Sequence, residues 1–291
     1  MNTLQQIPLP YFYAASGILG LVIGSFLNVV ILRLPRMIEA AWRAECRTFL
    51  DMAPASGSEA PPYNLLRPGS ACPGCGRRIT VPENIPLISY LLLGGRCKGC
   101  NHRISVRYPL VELLCAALTL LVAYRFGISA GTVFACLLTW ALIALAFIDL
   151  DHKLLPDDIT LPCLWLGLLC NYFGLYTDLY SSLLGAAAGY VIFWLVMQAF
   201  KLIIGKDGLG QGDLKLLAML GAWTGWQALA TIIFLSSLLG SLVGLYLVIV
   251  RRRHRSAPIS FGPYLALAGW LNLVWGLDIF DSRYLPAAAM P

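Results

Sequence analysis

The chain has 291 residues, of which 58% are hydrophobic and only 12% are charged. Soluble globular domains carry about twice that share of charge, so the composition excludes the soluble classes and points to a polytopic membrane protein. The formal net charge of +6 is mostly a topology signal and not a nucleic-acid footprint: the basic residues are spread over several loops, and the run Arg251–Arg255 adjoins an apolar segment.

Apolar runs are predicted to span at 11–32, 108–126, 129–149, 158–176, 181–204, 213–227, 229–250 and 259–278, which makes an all-α protein with about eight transmembrane helices. The run at 213–227 is shorter than the ~20 residues a span needs. Residues 1–10 contain no Lys or Arg, so the positive region of a signal peptide is missing and the first run is expected to stay as an anchor. With the amino terminus outside, nearly all of the 21 Lys and Arg fall on inside-facing segments, Arg125 and Arg283 excepted. The positive-inside rule therefore sets the expected orientation.

Residues 33–107 break the apolar pattern with a long polar stretch rich in Pro and Gly. The expected organisation is a first transmembrane helix in 1–32, a small cytoplasmic metal-binding region in 33–107 and a transmembrane domain in 108–291. Within the middle region, "RLPRMIEAAWRAECRTFLDM" reads as a short amphipathic helix at the membrane surface. "APASGSEAPPYN" has the composition of a flexible linker. "NIPLISYLLLGG" is apolar but too short to span, hence interfacial, re-entrant or packed in the small domain. No internal repeat is evident.

"CPGC" at 72–75 and "CKGC" at 97–100 are two C-x-x-C knuckles. Four thiolates in this arrangement, Cys72, Cys75, Cys97 and Cys100, form a closed tetrahedral set suited to structural zinc, although their separation lies just outside the common ribbon range. The glycine before each second cysteine is expected to allow a tight turn. Disulfide pairing is the competing reading, and a reducing compartment disfavours it.

Ionisable groups inside or beside spanning segments are expensive and need individual reasons. Glu112 lies one turn into the second run, Asp149 closes the third and Asp213 opens the sixth. The expected topology brings Asp149 and Asp213 to the same inner membrane face. Paired there, two carboxylates can deprotonate a water and protonate a departing amine, which is aspartic-protease chemistry. Asp151 is a rival partner for Asp213. Asp213 could instead cap its helix, and Asp149 could be a solvated helix end. A carboxylate-dependent membrane transporter with a zinc-ribbon docking module is the alternative function. The glycines of "GLGQGD" lack the context of a phosphate loop; Gly210 and Gly212 can admit the close approach of a peptide backbone.

Taken together, "GSFLNVVILRLP", "SACPGCG", "NIPLISYLLLGGRCKGC", "RYPLVEL", "FIDLDHKLLPD", "GLGQGDLKLLAMLGAW" and "PISFGPYLALAGW" resemble the bifunctional type IV prepilin peptidases. The resemblance covers almost the whole chain. It implies cleavage of the basic leader from prepilins and pseudopilins at the cytoplasmic face, then methylation of the new amino terminus with S-adenosylmethionine. It further implies that Asp149 and Asp213 form the catalytic dyad, that the four cysteines bind zinc, and that the enzyme is a multi-pass protein of the bacterial inner membrane. Glu112, Asn28 and Arg107 are candidates for the methyl-donor pocket or for substrate contact, and no glycine motif places that pocket.

Overall fold

A computed structural model describes residues 8–50, 63–80, 82–205, 210–250 and 260–276, and most of them are helical. The linker within 53–62, Gly208 and the basic run Arg251–Arg255 lie outside the described residues. Among the described residues there is no strand, only two isolated β-bridges. The chain divides into two compact units, Met1–Ile128 and Ser129–Pro291.

The first unit is built on α1 (Leu9–Phe49) and α3 (Arg107–Phe126), with a 3-10 turn (Pro82–Asn84) and the short α2 (Ile88–Leu92) between them in sequence. The expected first span and amphipathic helix are one 41-residue helix that runs through Pro35. A proline inside a helix removes one N–H and crowds the preceding turn. Here Ile31, Arg33, Leu34 and Pro35 are buried, so packing around that turn offsets the cost. Gly17, Gly20 and Gly24 of α1 meet Leu120, Ala116 and Glu112 of α3 in reverse order, which makes the pair antiparallel. Added Cβ atoms on Gly20 and Gly24 would stand 2.6 and 2.7 Å from the Cα atoms of Ala116 and Glu112. Small residues let these two backbones touch.

The second unit comprises α4 (Ala130–His152), α5 (Asp157–Tyr172), α6 (Leu179–Ile204), α7 (Gln211–Thr224), α8 (Gln227–Ile249) and α9 (Gly262–Trp275). α7 is its centre. It packs against α5, α6, α8 and α9, and every residue from Leu216 to Trp223 is buried. Polar ties fix its far end: the Trp223 indole N–H donates to the Cys163 carbonyl at 2.8 Å, and the Asn171 amide donates to the Ala222 carbonyl at 2.8 Å. α9 is tied to α4 by the Trp270 indole N–H, which donates to the Thr139 hydroxyl at 2.9 Å.

Among the described residues five helices, α1, α3, α4, α6 and α8, are long and apolar enough to cross a membrane. The spans expected at 158–176, 213–227 and 259–278 are helices of 16, 14 and 14 residues, shorter than the ~20 that lipid requires. α7 is sheathed by its neighbours, so protein and not lipid satisfies its apolar surface.

The α6–α7 crossing depends on Gly185 and Gly221. A Cβ on either would lie 2.3 or 2.2 Å from the carbonyl oxygen of the other, and backbone cannot yield as a side chain does. The variant Gly185→Ala is expected to lose about 1–3 kcal/mol of stability, read as a lowered thermal midpoint in detergent. An unchanged midpoint would contradict this crossing.

Candidate active site and thiolate cluster

Two helix ends and one leucine assemble the acidic site of the second unit. α4 stops at Lys153, which adopts the left-handed conformation with φ of 56°. One turn earlier, the Asp149 carbonyl accepts from the Lys153 N–H at 3.0 Å and from the Ser260 hydroxyl at 2.9 Å. The Asp149 carboxylate accepts the Gly262 N–H at 3.0 Å. A carboxylate at the C-terminal end of its own helix is electrostatically disfavoured, but Gly262 opens α9, and a helix N-terminus attracts negative charge. A Cβ at position 262 would sit 2.8 Å from the Asp149 Oδ2, so the glycine is the space into which the carboxylate fits. The Lys153 ammonium lies in Coulombic reach of Asp149 and donates to the Ser260 hydroxyl.

Asp213 occupies the third position of α7, and its carboxylate accepts the backbone N–H of Gly210, the residue before the helix. The capping expectation therefore holds in the reciprocal form, in which the third residue reaches back. It does not exhaust the role of Asp213, because the charge of Asp149 acts on this carboxylate. Both aspartates are buried, at 6% and 8% exposure, so water screens that interaction poorly.

Leu155 explains why the two helix starts meet. A Cβ on Gly212 would stand 2.7 Å from the Leu155 Cβ, and one on Gly262 would stand 3.3 Å from its Cδ2. Leu155 is thus wedged between the first turns of α7 and α9. Gly212 serves this contact within the chain, whereas Gly210 is exposed and, among the described residues, has only the Asp213 carboxylate near its open side. Asp151 and Asp158 are exposed, and Asp157 forms a surface ion pair with Lys215 at 2.6 Å. Lys153, Leu155, Ser260 and Gly262 were not singled out from sequence; the motifs that contain them were, but single residues within a motif carry no label of their contacts.

In the first unit, Glu112 is buried and accepts the Leu87 N–H at 2.9 Å and a bond from Ser25. Asn28 donates to the Tyr108 carbonyl at 3.1 Å and to that of Gly24 at 3.3 Å. The Arg107 N–H donates to the Ser105 hydroxyl at 3.3 Å. Glu112 and Asn28, though not Arg107, border one cleft of about 440 Å³.

The sulfurs of Cys72, Cys75, Cys97 and Cys100 all lie within 4.8 Å of one another, with 3.7 Å between Cys72 and Cys100. A tetrahedron with ~2.3 Å metal–sulfur bonds has edges of ~3.8 Å, so the cluster can hold a metal ion. The two knuckles are copies of one fold. Cys72 N–H donates to the Arg77 carbonyl and Cys97 N–H to that of His102, both at 2.9 Å. Ile79 N–H bonds to Ser70 and Ile104 N–H to Gly95, both at 2.8 Å. The sequences "CPGCGRRI" and "CKGCNHRI" carry this eight-residue repeat, shorter than the period of a repeat architecture. Left-handed backbone falls on Gly76 and Asn101, not on Gly74 and Gly99 as a tight-turn role would require. Gly74 instead packs on His102, and Gly99 packs on Arg77, each glycine making room for a side chain of the other knuckle. The Cys97 thiol is drawn down to about 6 by the N–H groups of Gly99 and Cys100. Cys100 gains a His102 N–H, yet the Cys75 thiol and desolvation push it up to about 12. Four crowded sulfurs cannot all ionise without a cation among them.

Comparison with known proteins agrees across the chain. Residues 18–126 match the family described as Bacterial Peptidase A24 N-terminal domain, and residues 136–245 match the Type IV leader peptidase family. A protein of Aeromonas hydrophila named prepilin leader peptidase/N-methyltransferase is 54% identical over 272 residues, spanning 93% of this chain and 93% of that protein. Proteins of the same name from Pseudomonas aeruginosa and Xanthomonas campestris are 52% and 46% identical, covering 99% and 100% of this chain and 98% and 100% of theirs. No solved structure matches.

The knuckle loop also carries a titratable brace. The Arg77 guanidinium, 2.5 Å from Glu83, and then the Thr80 N–H hold the Glu83 carboxyl down at about 2. The folded value lies below the ordinary ~4.3, so the stabilisation is fully present above that value and is lost as pH falls through about 2. Arg77→Gln is expected to raise the Glu83 midpoint by about one unit or more, the Thr80 N–H retaining the rest of the depression, followed by its carboxyl NMR shift. A wild-type midpoint already near 4 would contradict the brace.

Proposed function

The chain belongs to the type IV leader peptidase family, within the prepilin leader peptidase/N-methyltransferases, and we propose that Asp149 and Asp213 are its catalytic dyad. Its activities are those of that family: peptidase cleavage of the leader from type IV prepilins, and N-methyltransferase action. The observation that carries the dyad assignment is the convergence of two buried carboxylates from α4 and α7, each set at a helix N-terminus, with the charge of Asp149 acting on Asp213.

One carboxylate takes a proton from water while the other, carrying a proton, gives it to the departing amine as the tetrahedral intermediate collapses. The Gly262 N–H keeps Asp149 oriented throughout. Gly210, open and exposed beside Asp213, leaves room for an extended substrate backbone. Pseudopilins are substrates by the same recognition: a basic leader on the cytoplasmic side followed by an apolar helix in the bilayer. The excess of Lys and Arg on one set of loops supports an amino terminus in the periplasm, with the active sites facing the cytoplasm of a bacterial inner membrane. Nothing favours a transporter.

The four cysteines fit zinc by donor type, spacing and knuckle hydrogen bonds, and zinc there would staple a segment with little core of its own. The methyl donor is S-adenosylmethionine, which supplies an electrophilic methyl group.

Asp149→Asn and Asp213→Asn are each expected to lower leader cleavage by at least ~10³-fold in a peptide assay read by mass, while metal content stays the same. Wild-type turnover in either variant sinks the dyad, and loss with Asp151→Asn instead would move the assignment. Cys72→Ser is expected to remove bound zinc, measured by atomic emission, and to reduce methylation more than cleavage. Equal zinc in wild type and variant would refute the ligand set.

A further inference from the structure

The cleft of the first unit, about 440 Å³, falls in the size range of small-molecule sites and takes no part in the acidic site. Arg33, Tyr63, Tyr90 and Glu112 line it. Arg33 is only 8% exposed. Its guanidinium donates to the Asn64 carbonyl at 3.0 Å and lies 5.9 Å from the centre of the Tyr63 ring. Among the described residues no carboxylate pairs with it. A buried guanidinium whose partners among the described residues are carbonyls and a ring is a strong receptor for an anionic group, above all a carboxylate that can accept two of its N–H bonds.

Glu112 supplies the opposite charge in the same cleft and is also 8% exposed. Its position is built. Gly24 presses on its Cα, and its Oε2 holds the N–H of Leu87. Leu87 has φ of 58° and ψ of −48°, and Ile88 N–H closes onto the Pro86 carbonyl at 2.6 Å, a strained γ-turn. Backbone strain of this kind persists where surrounding contacts over-determine it, commonly at ligand clamps. The cleft thus offers a buried cation and a buried carboxylate among its charged groups, and three tyrosine rings, Tyr63, Tyr90 and Tyr108.

That combination matches a ligand bearing an amino-acid carboxylate, a cationic sulfur and an aromatic base. We propose that this cleft is the S-adenosylmethionine site, with Arg33 taking the donor's carboxylate and Glu112 receiving the proton of the incoming α-ammonium group. The assignment rests on the methyltransferase reading above. An ammonium nitrogen has no free lone pair, so a proton must first pass to the Glu112 carboxylate. The amine lone pair then forms the bond to the methyl carbon, the carbon–sulfur bond breaks, and its electron pair stays on sulfur as a neutral thioether. The positive charge ends on the methylated nitrogen. Tyr63 and Tyr90 offer faces for the purine and for the sulfonium.

The test uses the full-length protein in detergent, with S-adenosylhomocysteine titrated by calorimetry and radiolabelled S-adenosylmethionine crosslinked by ultraviolet light. Label is expected on peptides within 25–112. Arg33→Gln is expected to weaken binding about tenfold or more, its folding verified by the metal content of the cysteine cluster. Glu112→Gln is expected to bind within about twofold of wild type but to methylate at least ~100-fold more slowly, with partial recovery above pH ~8, where the α-amine loses its proton unaided. Label confined to 129–276, or unchanged affinity in Arg33→Gln, overturns the cleft assignment. Equal methylation in Glu112→Gln, or a loss that high pH does not relieve, overturns the role of Glu112. If wild type neither binds the analogue nor methylates a cleaved prepilin, the methyltransferase reading itself falls.

Discussion

A carboxylate at the C-terminal end of a helix faces the negative pole of its own backbone, and burial removes the water that would relieve it. Asp149 is in that position on α4, and the N-terminus of α9 is what makes it tenable. The Gly262 N–H donates to the carboxylate, and the absence of a Cβ at Gly262 lets the helix start come that close. Ser260, just before α9, bonds the carbonyl of the same residue. The last turn of α4 and the first of α9 are therefore held as one piece, and Leu155 extends that piece to the first turn of α7, where Asp213 stands.

The rest of the second unit serves to bring α7 to that place. A fourteen-residue helix could not hold a fixed depth in lipid by its own length. Enclosure by α5, α6, α8 and α9 supplies the constraint, and the Gly185–Gly221 contact lets α6 close over it. Asn171 and Trp223 tie down the opposite end. A proposed dyad made from two helices has no tolerance for sliding, and backbone contact combined with polar ties at one end resists sliding better than apolar packing alone.

The first unit solves a different problem. Its helices α1 and α3 pack through small residues, while the loop between them, among its described residues, buries only Cys72 and Cys97 of its apolar side chains and relies on two interlocked knuckles. Each knuckle lends a side chain to the glycine of the other, so neither half is complete alone. Much of this was legible in the chain: the C-x-x-C spacing, the buried Glu112 and the paired aspartates all stand out because polar residues in apolar surroundings need reasons. The identity of the knuckles was also written there, in "CPGCGRRI" and "CKGCNHRI", but at eight residues it is too short to register as an architectural repeat. The continuity of α1 through Pro35 was not legible, since proline is a local break and only tertiary packing overrides it.

By itself, the sequence determined the all-α membrane class, the four-cysteine set and the two aspartates, because hydropathy, ligand spacing and the cost of charge in lipid act locally and leave local marks. The tertiary structure alone decided that Gly212 would make room for Leu155 and not only for substrate, and that α9 would cradle Asp149. It also decided that α5, α7 and α9 would be short, and that Arg33 and Glu112 would border one cleft. Each of these depends on contact between segments distant in the chain. A side chain's partner across such a distance is fixed by packing geometry, and residue type and spacing carry no record of it.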